Sequence, residues 1–353
     1  MTERLNGIAQ YVLDAVAGPF VVDDIAVDLE ARVGVVAATA DETSAEELLR
    51  RAEAVHTASA HRINISTSPR TDRFSVSRED LHLISDLRTA IPAGELELYY
   101  QPVVSTRPAP TCGEHPDGAP TLSVEALVRW NHPTRGLLQP GQFIALAENS
   151  ILISPLTRWV LAEAVRQNRI WSGAGLDVRV AVNVSPRVLI DDDVVAMVRD
   201  VLAATGCSPS HLKIEITESA IVADPQRARD TVATLRGLGV GVSIDDFGTG
   251  FTSLDLLRAL EISEVKLDRT FVGTATTVPA DLAIVTTVVD LTRRLGIDAV
   301  AEGVEDEPTE LLLRELGYDY LQGYLFSRPL PAPHATQWLA ALSRDATRPV
   351  LAG

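Results

Sequence analysis

The sequence predicts an α/β protein: a modified (β/α)8 TIM-type barrel with an antiparallel first strand, preceded by a small α/β segment. Three observations carry this. From residue 95 onward, short strand-like runs alternate with helical stretches over roughly 250 residues, the usual span of such a barrel. In each run one phase of the alternation is mostly apolar, while the other ends in a polar residue. The first connection, residues 102–121, carries five prolines and no helical period. A parallel crossover normally needs a helix, so the first two strands are expected to form an antiparallel hairpin.

The elements follow in chain order. Residues 1–65 read as a small α/β segment, with an amphipathic helix over 3–16 and two strands between Phe20 and Val36. Ser44-Ala-Glu-Glu47 is a capping box for a helix through about Ala58. The run NISTSPRTDRFSVS (63–77) is polar and aperiodic and reads as a linker. The helix REDLHLISDLRTAI (79–91) leads into the main domain, so residues 66–87 comprise linker and the start of that helix, and 88–348 the barrel. The eight expected strands are ELELYYQ (95–101), LSVEALVRW (122–130), VRVAVNV (178–184), LKIEITE (212–218), VGVSID (240–245), SEVKLD (263–268), IDAVAE (297–302) and DYLQGY (319–324). Helical stretches such as LTRWVLAEAVRQNRIW (156–171) and DPQRARDTVATLRGL (224–238) lie between them.

Composition limits the function classes. With 46% hydrophobic and 22% charged residues the chain is globular, and its length of 353 residues suits one large domain plus a smaller one. A formal net charge of −17 argues against a nucleic-acid polymer or an anionic membrane as partner. Two cysteines, Cys112 and Cys207, show no metal-ligand spacing, which points to a reducing, cytoplasmic setting. No apolar leader and no run long enough to insert in a membrane is present, so no direct membrane insertion is expected.

The apolar phase, for example Val180, Val182 and Val184 or Leu212, Ile214 and Ile216, is expected to face the outer helices. The other phase places Gln101, Glu125 with Arg129, Asn183, Glu215, Asp245, Lys266, Glu302 and Gln322 near strand ends, facing the mouth where parallel barrels hold their sites. Counting Asp246, five of the acids converge, opposed by Lys266 and Arg129. Two like charges about 4 Å apart repel by roughly 4 kcal/mol at an effective dielectric near 20, so such a cluster calls for cations. Oxygen-only ligation suits Mg²⁺ or Mn²⁺ rather than Zn²⁺. The adjacent acids Asp245 and Asp246 suit two ions, one carboxylate bridging them, the arrangement of two-metal phosphoester hydrolysis. Neighbours on a strand point to opposite faces, so the strand is expected to end between these two residues. DFG also occurs in protein kinases, but neither a VAIK strand nor an HRD loop accompanies it here.

The ordered motifs YYQPVV, EALVRWNHP, FIALAE, VNVSP, IEITES, IDDFGTGFTSL, VKLDRTFV, VAEGVE and QGYLFSRP resemble those of the EAL-domain cyclic-di-GMP phosphodiesterases, across residues 88 to about 345. The resemblance implies one metal bound by Glu125, Asn183, Glu215 and Asp245, with Asp245 bridging to a second metal that Asp246 also binds. It places Glu302 beside the second metal as base or ligand, Lys266 at the attacking water with Gln322 close by, and Gln101 and Arg129 on the substrate. Glu218 would anchor the DDFG loop; Arg328 and His132 read as structural. The implied activity is hydrolysis of cyclic di-GMP to linear pGpG with two Mg²⁺ or Mn²⁺ ions, in a homodimer formed near the DDFG loop. Two other readings stand beside it: a non-catalytic cyclic-di-GMP receptor or scaffold, and an enolase-type metal barrel. Ser263 departs from the Asp common in the family, and AENSILI (147–153) from its usual pattern. The N-terminal segment resembles the second half of a GGDEF-type cyclase domain in VAGPFVVDD and SAEELLRRAEAV, without the GGDEF signature, so no cyclase activity is expected.

Overall fold

The computed structural model describes residues 11, 14–15, 20–22, 25–27, 78–107, 122–191, 194–250 and 254–346. The chain divides into two compact units, residues 1–93 with 141–153 and residues 94–140 with 154–353.

In the first unit Phe20–Val22 (β1) and Ile25–Val27 (β2) pair antiparallel, inside the region where two strands are expected. Tyr11, Asp14 and Ala15 are helical, within the helix expected over 3–16. The expected helix through Ala58, the linker over 63–77 and Cys112 lie outside the described residues. The helix Arg78–Ala93 buries Leu83, Leu87 and Ala90, one stripe at positions i, i+4 and i+7.

The second unit is built on a closed barrel. Its strands are Leu96–Ser105 (β3), Leu122–His132 (β4), Val178–Val184 (β6), Leu212–Thr217 (β7), Gly241–Phe247 (β8), Glu264–Leu267 (β9), Asp298–Ala301 (β10) and Tyr320–Leu321 (β11). Two short strands, Gly136–Leu138 (β5) and Leu330–Pro331 (β12), add to β4 and β3. The order β3-β11-β10-β9-β8-β7-β6-β4 closes through a β3–β4 pairing. β3 runs antiparallel to β4 and to β11, and the remaining barrel pairs are parallel, as the proline-rich connection predicts.

β3 is longer than its sequence suggests, running on through Pro102 to Ser105. On its second edge β12 covers Tyr99 and Tyr100, and β11 covers Val104 and Ser105. Pro102, which has no N–H to offer a ladder, falls in the gap between those partners. The seam is tied further: Thr106 Oγ1 donates to Tyr318 O at 2.5 Å, and Arg107 pairs with Asp298 at 3.0 Å and with Asp319.

The expected outward phase is buried: Val180, Val182 and Val184 on β6, and Leu212, Ile214 and Ile216 on β7. The helix Pro225–Gly237 contributes Ala228, Val232 and Leu235, and Pro279–Leu295 contributes Val285, Val288 and Val289. Each fully buried Leu, Ile or Val stabilises by about 1.5–3 kcal/mol, so this layer is a large part of the cohesion between barrel and helices. Asp224 starts the first helix by accepting from Arg227 N at 3.0 Å, with Pro225 in its first turn. Among the described residues no helix is long and apolar enough to cross a membrane.

One expectation is corrected. β8 does not end between Asp245 and Asp246; it continues to Phe247. Ile244 pairs with Val265 and Phe247 with Leu267, so three steps along β8 match two along β9. The extra residue makes a bulge, and Asp246 absorbs it at φ 54°.

Candidate metal centre at the barrel mouth

Each barrel strand delivers a polar side chain to one place. Gln101 comes from β3, Glu125 from β4, Asn183 from β6, Glu215 from β7, Asp245 from β8 and Lys266 from β9. Glu302 and Gln322 follow directly after β10 and β11. The register explains the convergence: Gln101 lies opposite Glu125, Asn183 opposite Glu215, and Thr217 opposite Asp245.

Lys266 is the hub. Its Nζ lies 3.3 Å from Glu125 Oε2, 3.1 Å from Glu215 Oε2, 3.2 Å from Asp245 Oδ1 and 2.5 Å from Glu302 Oε1. Its side chain is 1% exposed. Glu125 is fixed from both sides, accepting from Asn183 Nδ2 at 2.7 Å and from Gln322 Nε2 at 2.6 Å. Gln322 Nε2 also reaches Gln101 Oε1 at 3.2 Å, and Gln101 Nε2 donates to Ser327 O at 3.1 Å.

One ammonium cannot neutralise this many acids, and burial sharpens the imbalance. Burial pushes the Glu215 carboxyl well up; Lys266 opposes this, while Glu125 and Asp245 reinforce it. Burial likewise raises Glu302, to about 8, against the pull of Lys266. Asp246 is raised by burial and then by Asp245 and Asp268. Burial would raise Glu125 too, but Lys266 and the hydrogen bonds from Gln322 and Asn183 outweigh it and hold the carboxyl low. Burial disfavours the Lys266 charge, yet Asp245, Glu125, Glu215 and Glu302 together keep it protonated.

The donor set fits divalent cations. Glu125, Glu215 and Asp245 bring ligand atoms within 4.8 Å of one another, as do Asp245, Asp246 and Glu302, and the two triads share Asp245. Asp245 Oδ1 is buried, and its polar partner among the described residues is the Lys266 ammonium at 3.2 Å. Carboxylates suit Mg²⁺ or Mn²⁺, and cations would relieve the repulsion that leaves the acids holding protons. Asn183 stands at the exposed rim, its amide on Glu125.

Other expected residues lie around this cluster. Glu218, buried at the start of the helix Glu218–Ala223, accepts from Gly248 N at 3.1 Å and Gly250 N at 3.0 Å. It therefore holds the loop after Asp246. Arg129 is not hydrogen-bonded to the acids; it donates to Val128 O at 2.9 Å and lies 5.2 Å from the Tyr99 ring centroid. Arg328 stacks 4.3 Å over Tyr324, which is 50% exposed.

Two inward charges were not singled out from the sequence. Lys213 on β7 and Glu264 on β9 form an ion pair of 2.5 Å one tier deeper than the acids, both 4% exposed. Their signal was available, since each lies two residues before Glu215 or Lys266 in the same phase.

Comparison with known proteins agrees with this architecture. The EAL domain family model matches residues 84–329. A bifunctional diguanylate cyclase/cyclic di-GMP phosphodiesterase, MucR of Pseudomonas aeruginosa, is 38% identical over 327 residues, 92% of this chain and 46% of the relative. The cyclic di-GMP phosphodiesterase NbdA of the same organism is 35% identical over 345 residues, 97% of this chain and 43% of the relative. The chain thus spans less than half the length of these curated relatives. Among solved structures, the PaMucR phosphodiesterase in complex with c-di-GMP is 43% identical with a TM-score of 0.66, covering 72% of this chain and 99% of that one. The family match takes in every barrel strand and every residue of the acid cluster, and the chain belongs to the EAL-domain family.

Proposed function

We propose that this chain hydrolyses one phosphodiester bond of cyclic di-GMP to give linear pGpG, using two Mg²⁺ or Mn²⁺ ions. The observation that carries the reading is the pair of carboxylate triads sharing Asp245, next to a buried lysine. Bound there, two cations would lower the pKa of a water and stabilise charge on the phosphoryl oxygens. Glu125, Asn183, Glu215 and Asp245 are assigned to the first ion, and Asp245 with Asp246 to the second. Asn183 and Gln322 orient Glu125, so both of its oxygens are held before substrate arrives. Lys266 stays charged and directs the attacking water electrostatically. Glu302 serves as proton acceptor or as ligand to the second ion. Gln101, Arg129 and Gln322 are assigned to substrate contact; Gln322 Oε1 has no hydrogen-bond partner among the described residues. Glu218 keeps the DDFG loop in place.

The same reading makes residues 1–65 a GGDEF-like remnant without cyclase activity, and the working unit a cytoplasmic homodimer. The test is turnover. Purified protein with Mn²⁺ should convert cyclic di-GMP to pGpG, and Glu125→Ala should abolish the product signal. Ligand binding without turnover in either Mg²⁺ or Mn²⁺ would leave a receptor and overturn the enzymatic reading.

A further inference from the structure

Beneath the acid cluster lies a charged pair with no assigned work. Lys213 Nζ and Glu264 Oε2 are 2.5 Å apart, and both side chains are 4% exposed. They come from β7 and β9, which are not neighbours: β8 runs between them. Lys213 lies opposite Gly241 of β8, while Ser243 lies between Glu215 on one side and Glu264 on the other. The bridge therefore crosses β8 inside the barrel. Gly241, opposite Lys213, leaves that inward position without a side chain; a Cβ there would meet the lysine stem only at ordinary contact, 3.4 Å from Lys213 Cγ and 3.6 Å from Lys213 Cβ.

The two strands joined in this way carry Glu215 and Lys266, each two residues farther along, and the strand crossed between them carries Asp245. Alternation puts each tier on the same inward face. The upper tier holds acids that repel one another, so the strands bearing them need an opposing constraint. A buried ion pair adds little net stability over apolar residues of similar volume, but it tolerates only a narrow geometry. The pair is also neutral overall, so it constrains the strands without changing the charge of the site.

We infer that Lys213 and Glu264 are positioning residues, a cross-strand brace over Gly241 that fixes β7 and β9 so that Glu215 and Lys266 meet Asp245 at ligand distance. This rests on the metal-dependent reading above, and the experiment separates the two. Mn²⁺ binding to the whole chain is measured by titration calorimetry without substrate, for wild type, K213M/E264L and Lys213→Arg. The double variant replaces both charges with apolar groups, so no unpaired buried charge is left. It should melt cooperatively but bind Mn²⁺ at least tenfold more weakly, about the loss typical when a supporting shell is removed. Its kcat should fall while KM for cyclic di-GMP stays within about twofold, since no substrate contact is removed. Lys213→Arg keeps both charges but changes the length and shape of the bridge; a severalfold weaker Mn²⁺ affinity is expected there, and it decides the matter if the double variant does not fold. Wild-type Mn²⁺ affinity in the variants that fold overturns the brace and leaves the metal reading intact. Wild type that binds no Mn²⁺ overturns both.

Discussion

Asp246 holds φ 54°, the one non-glycine residue at positive φ among the described residues. A left-handed conformation costs most residues about 1–2 kcal/mol, and Asp and Asn visit it more readily because their short side chains bond locally. Here the conformation has a purpose that strand geometry alone forbids. An unbroken pleat would send Asp245 and Asp246 to opposite faces. The bulge adds a residue, and ligand atoms of both acids then lie within 4.8 Å. Asp246→Asn should therefore keep the stability of the metal-free protein, whereas Asp246→Val should lose about 1–2 kcal/mol more in urea unfolding, the left-handed penalty of a branched residue. Equal stability of the two variants would show that the backbone there is unstrained. At this scale Glu125, Glu215, Asp245 and Glu302 are legible in the sequence because period-2 alternation places them, and Asp246 only as the acid next to Asp245. The bulge was not legible, since a one-residue offset leaves no trace in the alternation before it. Lys213 and Glu264 were placed inward by the same alternation, but that tier of a parallel barrel is ordinarily filled by branched apolar side chains.

β11 has only two residues, Tyr320 and Leu321, although the sequence suggests a strand over 319–324. It stops because the chain turns at once to pack against the loop after β10. Val304 N donates to Gln322 O at 3.0 Å, and Gln322 N to Ala301 O at 2.9 Å. A Cβ on Gly323 would lie 2.0 Å from Val304 O and 2.3 Å from Val304 N, backbone atoms that cannot swing aside. Gly323→Ala should accordingly push the two loops apart, carrying Gln322 and Glu302 with them. The expected cost exceeds about 3 kcal/mol, the range of severe backbone and packing mutations. Gly237→Ala is the control: nothing lies within 4 Å of a Cβ at this helix end, and stability should change by less than about 1 kcal/mol. Chemical denaturation of both variants checks the contrast, and a Gly323→Ala protein as stable as its control would refute the close-packing argument. The existence and order of the barrel strands, and the antiparallel β3, could be read from alternation and from the prolines after Gln101. β5 and β12 could not, because strands of three and two residues are too short to show a period.

Across the whole molecule, the net charge of −17 and the acid-rich barrel mouth make stability depend on protons, and on any cation the acids hold. Glu302 titrates at about 8 in the fold, against 4.5 for an ordinary glutamate, with burial the main cause. Between those values the folded chain holds a proton that the unfolded chain has released. Stability from this group is therefore full below about pH 4.5 and is lost as pH rises through about 8. Glu215, also raised by burial, acts in the same direction. In the presence of chelator, the melting temperature measured by calorimetry should decline from about pH 5 to about pH 9, and Glu302→Gln, which cannot titrate, should decline less steeply. Mn²⁺ held by these acids, as proposed, would compete with their protons, so its affinity and the thermal shift it produces should grow over the same window. Parallel curves for wild type and Glu302→Gln would mean that Glu302 does not carry the proton. A Mn²⁺ shift independent of pH would mean that the cation binds somewhere other than the acid cluster.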